Sequence, residues 1–123
     1  MPVTLEHPHE QLVVMTITAP WKVDELIAVY PQMEKYYSAA EKPMYGITNI
    51  EKIGTIPPGA LRARVSPMVA HKNCAHVYVV GAKGVARSLA EAVFTLTHFE
   101  KIDFYDTEAE AMAHFMSSIS SHV

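Results

Sequence analysis

Apolar residues along this chain alternate between two arrangements. Short dense runs rich in β-branched residues give way to longer stretches in which apolar positions recur every three or four residues. The dense runs read as strands buried on both faces, and the spaced stretches as amphipathic helices. Residues 11–19, 44–50, 75–81 and 101–106 are the dense runs, and residues 3–5 supply a short edge strand. His7-Pro8-His9-Glu10 reads as the turn after that edge strand, because proline cannot continue a central strand. Leu26, Tyr30, Met33, Tyr37 and Ala40 step by four and three, so a helix starts near Asp24. Pro31 removes a backbone donor and predicts a break between residues 27 and 31. Tyr36 and Tyr37 cannot both face inward on that helix, so one of them is exposed.

Pro57-Pro58-Gly59 opens a further helix striped by Leu61, Val65, Met68 and Val69, which Ser66-Pro67 bends or restarts. Gly81-Ala-Lys-Gly84 turns the third dense run directly into a helix whose predicted apolar stripe is Val85, Leu89, Ala92, Val93 and Leu96. Thr107-Glu-Ala-Glu110 is a capping box, and Ala111, Met112, Phe115, Met116 and Ile119 line the last helix, with residues 117–123 expected to fray. The order β-β-α-β-α-β-α-β-α predicts an α/β fold, a mixed and mostly parallel sheet with helices packed on it, in one domain over residues 1–123.

Composition narrows the picture by exclusion. Half the residues are apolar and 19% are charged, which suits a packed globule and not a disordered chain. A net charge of −3 gives no footprint for nucleic acid or an anionic membrane. No apolar run is long enough to cross a bilayer, so no membrane insertion is expected. The single cysteine, Cys74, allows no internal disulfide, and the first residues lack the basic start and apolar core of a secretion signal. A cytoplasmic protein is the expectation.

With the elements in place, the chain resembles the STAS-like domains related to the sporulation anti-sigma-factor antagonist. Three pieces carry the resemblance: the strand, Trp21 and acidic helix start within residues 13–26; Ile47-Thr-Asn-Ile50 leading to Ile56-Pro-Pro-Gly-Ala-Leu61; and Val77-Tyr-Val-Val-Gly-Ala82 with the elements through Thr107-Glu-Ala-Glu-Ala111. The resemblance implies a regulatory module working through protein contacts. Signalling members carry a phosphorylatable serine in an Asp-Ser-Ser-Gly pattern. Here the matching stretch is Ile56-Pro57-Pro58-Gly59, so Pro58 occupies the acceptor position and has no hydroxyl to modify. The architecture is kept and the usual phosphoacceptor is lost. Thr55 is a displaced alternative.

Two stretches are candidate sites. Thr55, Pro57, Pro58, Gly59 and Arg62, with Arg64 beside them, form a loop and helix start after the carboxyl end of a parallel strand, where open sheets bind ligands. The plainer account is that these turn residues only shape a tight bend. Lys83 and Gly84 with Arg87 form a candidate anion site at the next helix start, although the turn lacks a full dinucleotide fingerprint or a P-loop. A solvated basic edge is the simpler account.

Seven histidines, including His71 and His76 around Cys74, show no metal-ligand spacing, so neither a metal nor a cofactor is expected. Ser66, Ser88, Cys74, Asp103 and Asp106 make no catalytic motif, so an enzyme is not expected. The leading expectation is a non-enzymatic protein-interaction module, bound to a protein partner or to itself as a homodimer. The alternative is a carrier of a small apolar ligand or lipid, using the Met and aromatic side chains of Trp21, Tyr30, Met33, Tyr36 and Tyr37, or those of Met112, Phe115 and Met116.

Overall fold

Five strands form one sheet in the order of the chain. They are β1 (Val3–His9), β2 (Leu12–Thr18), β3 (Met44–Lys52), β4 (Cys74–Val80) and β5 (Ile102–Tyr105). β1 and β2 pair antiparallel and every later pair is parallel, so the α/β fold with a mixed, mostly parallel sheet is as expected. The computed structural model describes residues 2–120, with the side chains of residues 63–65 and 69–70 outside that description.

The first hairpin departs from expectation. β1 runs through Pro8 to His9, and the turn is left to Glu10 and Gln11. An edge strand needs only one set of ladder bonds, so it can hold a proline. The register slips between Glu6 and His9, which takes Pro8 out of the ladder.

Period-two alternation then divides the core. Val13, Met15 and Ile17 of β2, Met44 and Ile50 of β3, and Val77 and Val79 of β4 share one face. Over them lie α1 (Val23–Ile27) and α2 (Tyr30–Ala39), through Val23, Leu26, Tyr30, Met33 and Tyr37. The break predicted before Pro31 falls at Ala28-Val29, with Pro31 inside the first turn of α2. Tyr37 is fully buried, whereas Tyr36 is half-buried against the ring of His7.

The opposite face carries Leu12, Val14, Tyr45, Ile47, Tyr78 and Val80, and α5 (Glu108–Ser120) covers it with Ala111 and Phe115. Phe115 meets Tyr45 and His9 edge-on at 5.3 and 5.2 Å. Met116 is exposed. Thr107 Oγ1 accepts from the Glu110 N–H at 3.2 Å, as the capping box requires. α5 holds through Ser120, so residues 117–120 are helical where fraying was expected; residues 121–123 lie outside the described residues.

Two further expectations are corrected. The segment after Pro57-Pro58-Gly59 opens as a 3₁₀ turn (Ala60–Val65) where an α-helix was expected, and the restart at Ser66-Pro67 gives the short α3 (Pro67–Ala70). Ser66 divides them by accepting from the Met68 N–H at 3.2 Å, with Pro67 at the first helical position. Met68 is buried as expected, while the side chains of Val65 and Val69 lie outside the description. In α4 (Gly84–Leu96) the inward face is rotated from the predicted stripe. Val85 and Leu96 are exposed, and Ala86, Leu89, Ala90, Val93 and Phe94 turn toward the sheet. Small alanines occupy inward positions that a stripe drawn through the largest residues passes over.

Candidate functional site

The loops leaving the carboxyl ends of β3 and β4 lie side by side, because these strands are adjacent and parallel. Between them runs a groove of about 600 Å³ whose walls include Glu51, Thr55 and Ile56 on one side and Gly81, Lys83 and Val85 on the other. One residue from each sequence-predicted site, Thr55 and Lys83, therefore meets across a single groove. Gly81 makes the close approach possible. Its φ is +77°, and a Cβ there would come within 2.7 Å of the Glu51 Cα.

The other predicted residues are placed elsewhere. Pro58 and Gly59 are exposed at the loop tip and Pro57 is half-buried. Arg62 is exposed and pairs with Asp24 at 3.2 Å, and the Arg64 side chain lies outside the description. Gly84 opens α4 with a φ of +54°. Arg87 bonds Glu91 at 2.7 Å and sits 3.6 Å over the Phe104 ring, so the structure does not bring it together with Lys83 in the groove.

Ile50, Ile53 and Ala86 line both this groove and a second, apolar cavity of about 110 Å³ beneath α4. Its walls are Met15 and Ile17 of β2, Val77 and Val79 of β4, Trp21, Leu26, and the inward face of α4. The chamber exists because α4 is seated lightly. Only Ala86 among its thirteen residues is buried, and its main packing is on the 3₁₀ turn. A crossover helix of this apolar character ordinarily beds its stripe on the sheet. Here Ala86 joins the core cluster and Leu89 and Phe94 pack against it only in part, with the cavity lying among them.

Polar groups in the chamber wall are few and uncharged: the hydroxyls of Tyr30, Thr48 and Ser66, and the Trp21 indole, whose N–H donates to the Ile53 carbonyl at 2.8 Å. Burial pushes the Tyr30 phenol up to about 12, with a hydrogen bond from Ser66 opposing the shift, so Tyr30 is a neutral hydroxyl at any ordinary pH. Sequence reasoning pointed to Trp21, Tyr30, Met33, Tyr36 and Tyr37; Trp21 and Tyr30 line the chamber, and Met33, Tyr36 and Tyr37 do not. Met112, Phe115 and Met116 belong to the other face of the sheet. Thr48 and Ser66 were missed as wall residues. The available signal was parity along β3, which puts Thr48 on the same face as Ile50.

Outside the groove, two polar clusters invite a catalytic reading. Ser38 Oγ lies 3.2 Å from His71 Nε2 and donates to Glu34 Oε1 at 2.8 Å, a Ser-His-Glu grouping. His71 Nδ1, however, accepts the Asn73 N–H at 3.0 Å, which places the proton of the neutral ring on Nε2. Nε2 cannot then take a proton from Ser38, so the grouping is wired against general-base catalysis. His76 Nε2 lies 2.8 Å from Asp103 Oδ2 and ties β4 to β5. Cys74 gives its S–H to the Met68 carbonyl, and burial pushes the thiol up to about 12, far from a reactive thiolate.

Among the described residues no cluster of three metal-ligating side chains occurs, and no helix is long and apolar enough to cross a membrane. A scan of known protein-family models and searches of curated proteins and of solved structures found no match to this chain.

Proposed function

We propose that this chain is a non-catalytic binding module of STAS-like architecture whose cargo is a small apolar molecule, held beneath α4 and reached through the groove at the carboxyl ends of β3 and β4. The chamber carries this reading. An apolar space of about 110 Å³ that shares Ile50, Ile53 and Ala86 with an outer groove is smaller than the engineered cavity of about 150 Å³ that holds benzene in another protein. It therefore suits one ring or a few carbons of a chain, with the remainder in the groove. Pockets of this kind take up small ligands through their apolar walls and fix orientation through a few polar groups.

Native mass spectrometry of the purified, chelated protein tests the reading. A reproducible added mass, or uptake of benzene as a probe, is expected. A bare protein that also refuses benzene refutes it.

A second reading, contact with a protein partner or a second copy, is favoured by exposed Leu61 and Val85. They belong to the 3₁₀ turn and to α4, which pack on each other beside the groove. The same spectrum separates the two, since this reading expects a dimer without added mass.

A further inference from the structure

On the second face of the sheet, a polar pocket of about 240 Å³ lies between β4, β5 and α5, with His76, Tyr78, Asp103 and Ser118 in its wall. The protons of this cluster are spent within it. An ionised carboxylate only accepts, so the 2.8 Å bond between His76 and Asp103 Oδ2 places the ring proton on Nε2. The Ser118 hydroxyl donates to the His114 carbonyl at 2.9 Å, so in its 3.4 Å contact with Tyr78 the phenol is the donor.

What remains is electron-rich. Among the described residues, neither Asp103 Oδ1 nor His76 Nδ1, an acceptor in the neutral ring, takes a hydrogen bond, and the Asp103 side chain is 55% exposed. No lysine or arginine among the described residues lines the pocket, so no permanent cation opposes the Asp103 charge there. That charge is felt in the wall. Burial raises the Tyr78 phenol, with Tyr45 and Asp103 adding to the rise and the Ser118 bond opposing it. Such a pocket repels carboxylates and phosphates and favours a group that brings both donors and a positive charge. The rings of Tyr45 and Tyr78, parallel to within 10° with centres 6.4 Å apart, give the carbons of that group an aromatic wall.

We infer that this pocket binds an alkylammonium group, the charged end of a small amine or of a lysine side chain, with Asp103 and His76 accepting its protons. The inference goes beyond the chamber on the other face of the sheet and does not depend on it.

The test follows backbone and imidazole NMR signals of the whole protein at about pH 8, above the ordinary histidine range. The probes are butylammonium, butanol, butyrate and Nα-acetyl-lysine amide, and the series is repeated on Asp103→Asn and Asp103→Glu, with signal dispersion establishing that each variant folds. Butylammonium is expected to shift the signals of His76, Tyr78 and Ser118 saturably and to bind about 5- to 10-fold tighter than butanol, the margin of a charge-assisted over an ordinary hydrogen bond. Asp103→Asn erases that margin and Asp103→Glu keeps most of it. Acetyl-lysine amide binding tighter than butylammonium assigns the group to a lysine side chain, and weaker binding assigns it to a free amine. Butyrate binding tightest, butanol matching butylammonium, a margin that survives in Asp103→Asn, or no saturable shift from any probe overturns the inference.

Discussion

Replacing Ala90 by leucine separates an empty chamber from a packed one. Ala90 lines the chamber from the inward face of α4, about one and a half turns of helix beyond the exposed Val85. Leucine adds three carbons, and at about 0.8 kcal/mol for each buried carbon the gain has an upper bound near 2.4 kcal/mol. Ordering the new side chain costs about 0.5–1 kcal/mol, and the helix propensities of the two residues are close. The net expectation is a stabilisation of about 1–2 kcal/mol. For a domain of this length, unfolding entropy near 2.1 cal/mol/K per residue converts that into a Tm rise of about 4–8 °C. Most substitutions that enlarge a core residue destabilise by about 1–3 kcal/mol, so the sign alone discriminates. The assay is thermal and urea unfolding followed by far-UV circular dichroism, paired with benzene uptake read by native mass spectrometry. Leucine should stabilise the protein and abolish uptake of benzene at once. A loss of more than about 1 kcal/mol refutes the reasoning, because it means that α4 already sits tight against the sheet.

Phe115→Ala removes the centre of the second core and should cost about 3–5 kcal/mol in urea unfolding without altering occupancy of the chamber on the opposite face. High pH should unfold the protein. Burial raises the Cys74 thiol from 9.0 and the Tyr30 phenol from 10.0, each to about 12, so both groups hold their protons more tightly in the folded state. Their contribution is fully present below about pH 9 and is lost as pH climbs toward 12, by about 3 kcal/mol at pH 11 from Cys74 alone, and Cys74→Ala should flatten the first part of that decline. Arg62→Glu should change stability by less than about 1 kcal/mol, since the Asp24 pair it breaks is exposed, and should leave benzene uptake unchanged; a loss of a protein partner in pull-down would instead support the second reading.

Much of the fold was legible because strands and helices leave different periods in the sequence. The runs at β2, β3 and β4 are buried on both faces over most of their length, and their predominantly apolar character announced that burial. Pro31 and Ser66-Pro67 marked real breaks, since proline acts through local sterics that tertiary packing does not override. Pro8 misled for the complementary reason: whether a strand can hold a proline depends on whether it lies at an edge, which is a tertiary property. The phase of α4 was misread because Val85 and Leu96 outweigh alanine in any pattern, yet the inward face is built on Ala86 and Ala90. The two candidate stretches were found separately. Their meeting across the groove depends on β3 and β4 being neighbours. The chamber itself left no mark in the sequence, because a gap is made by what two elements fail to fill.

Among the described residues α5 is the one helix over the second face, and this sets an order of events. While the chain is being made, β2, β3 and β4 can pair and close over their first face as soon as α4 has emerged. Leu12, Val14, Tyr45, Ile47, Tyr78 and Val80 then stand bare until residues 108–120 follow. At about 5–20 residues per second the 24 residues from the end of α4 to the end of α5 take about 1–5 s, long enough for an apolar sheet face to meet other chains. The nascent protein thus passes through a sticky half-built stage, and a ribosome that stalls shortly before α5 would hold it there.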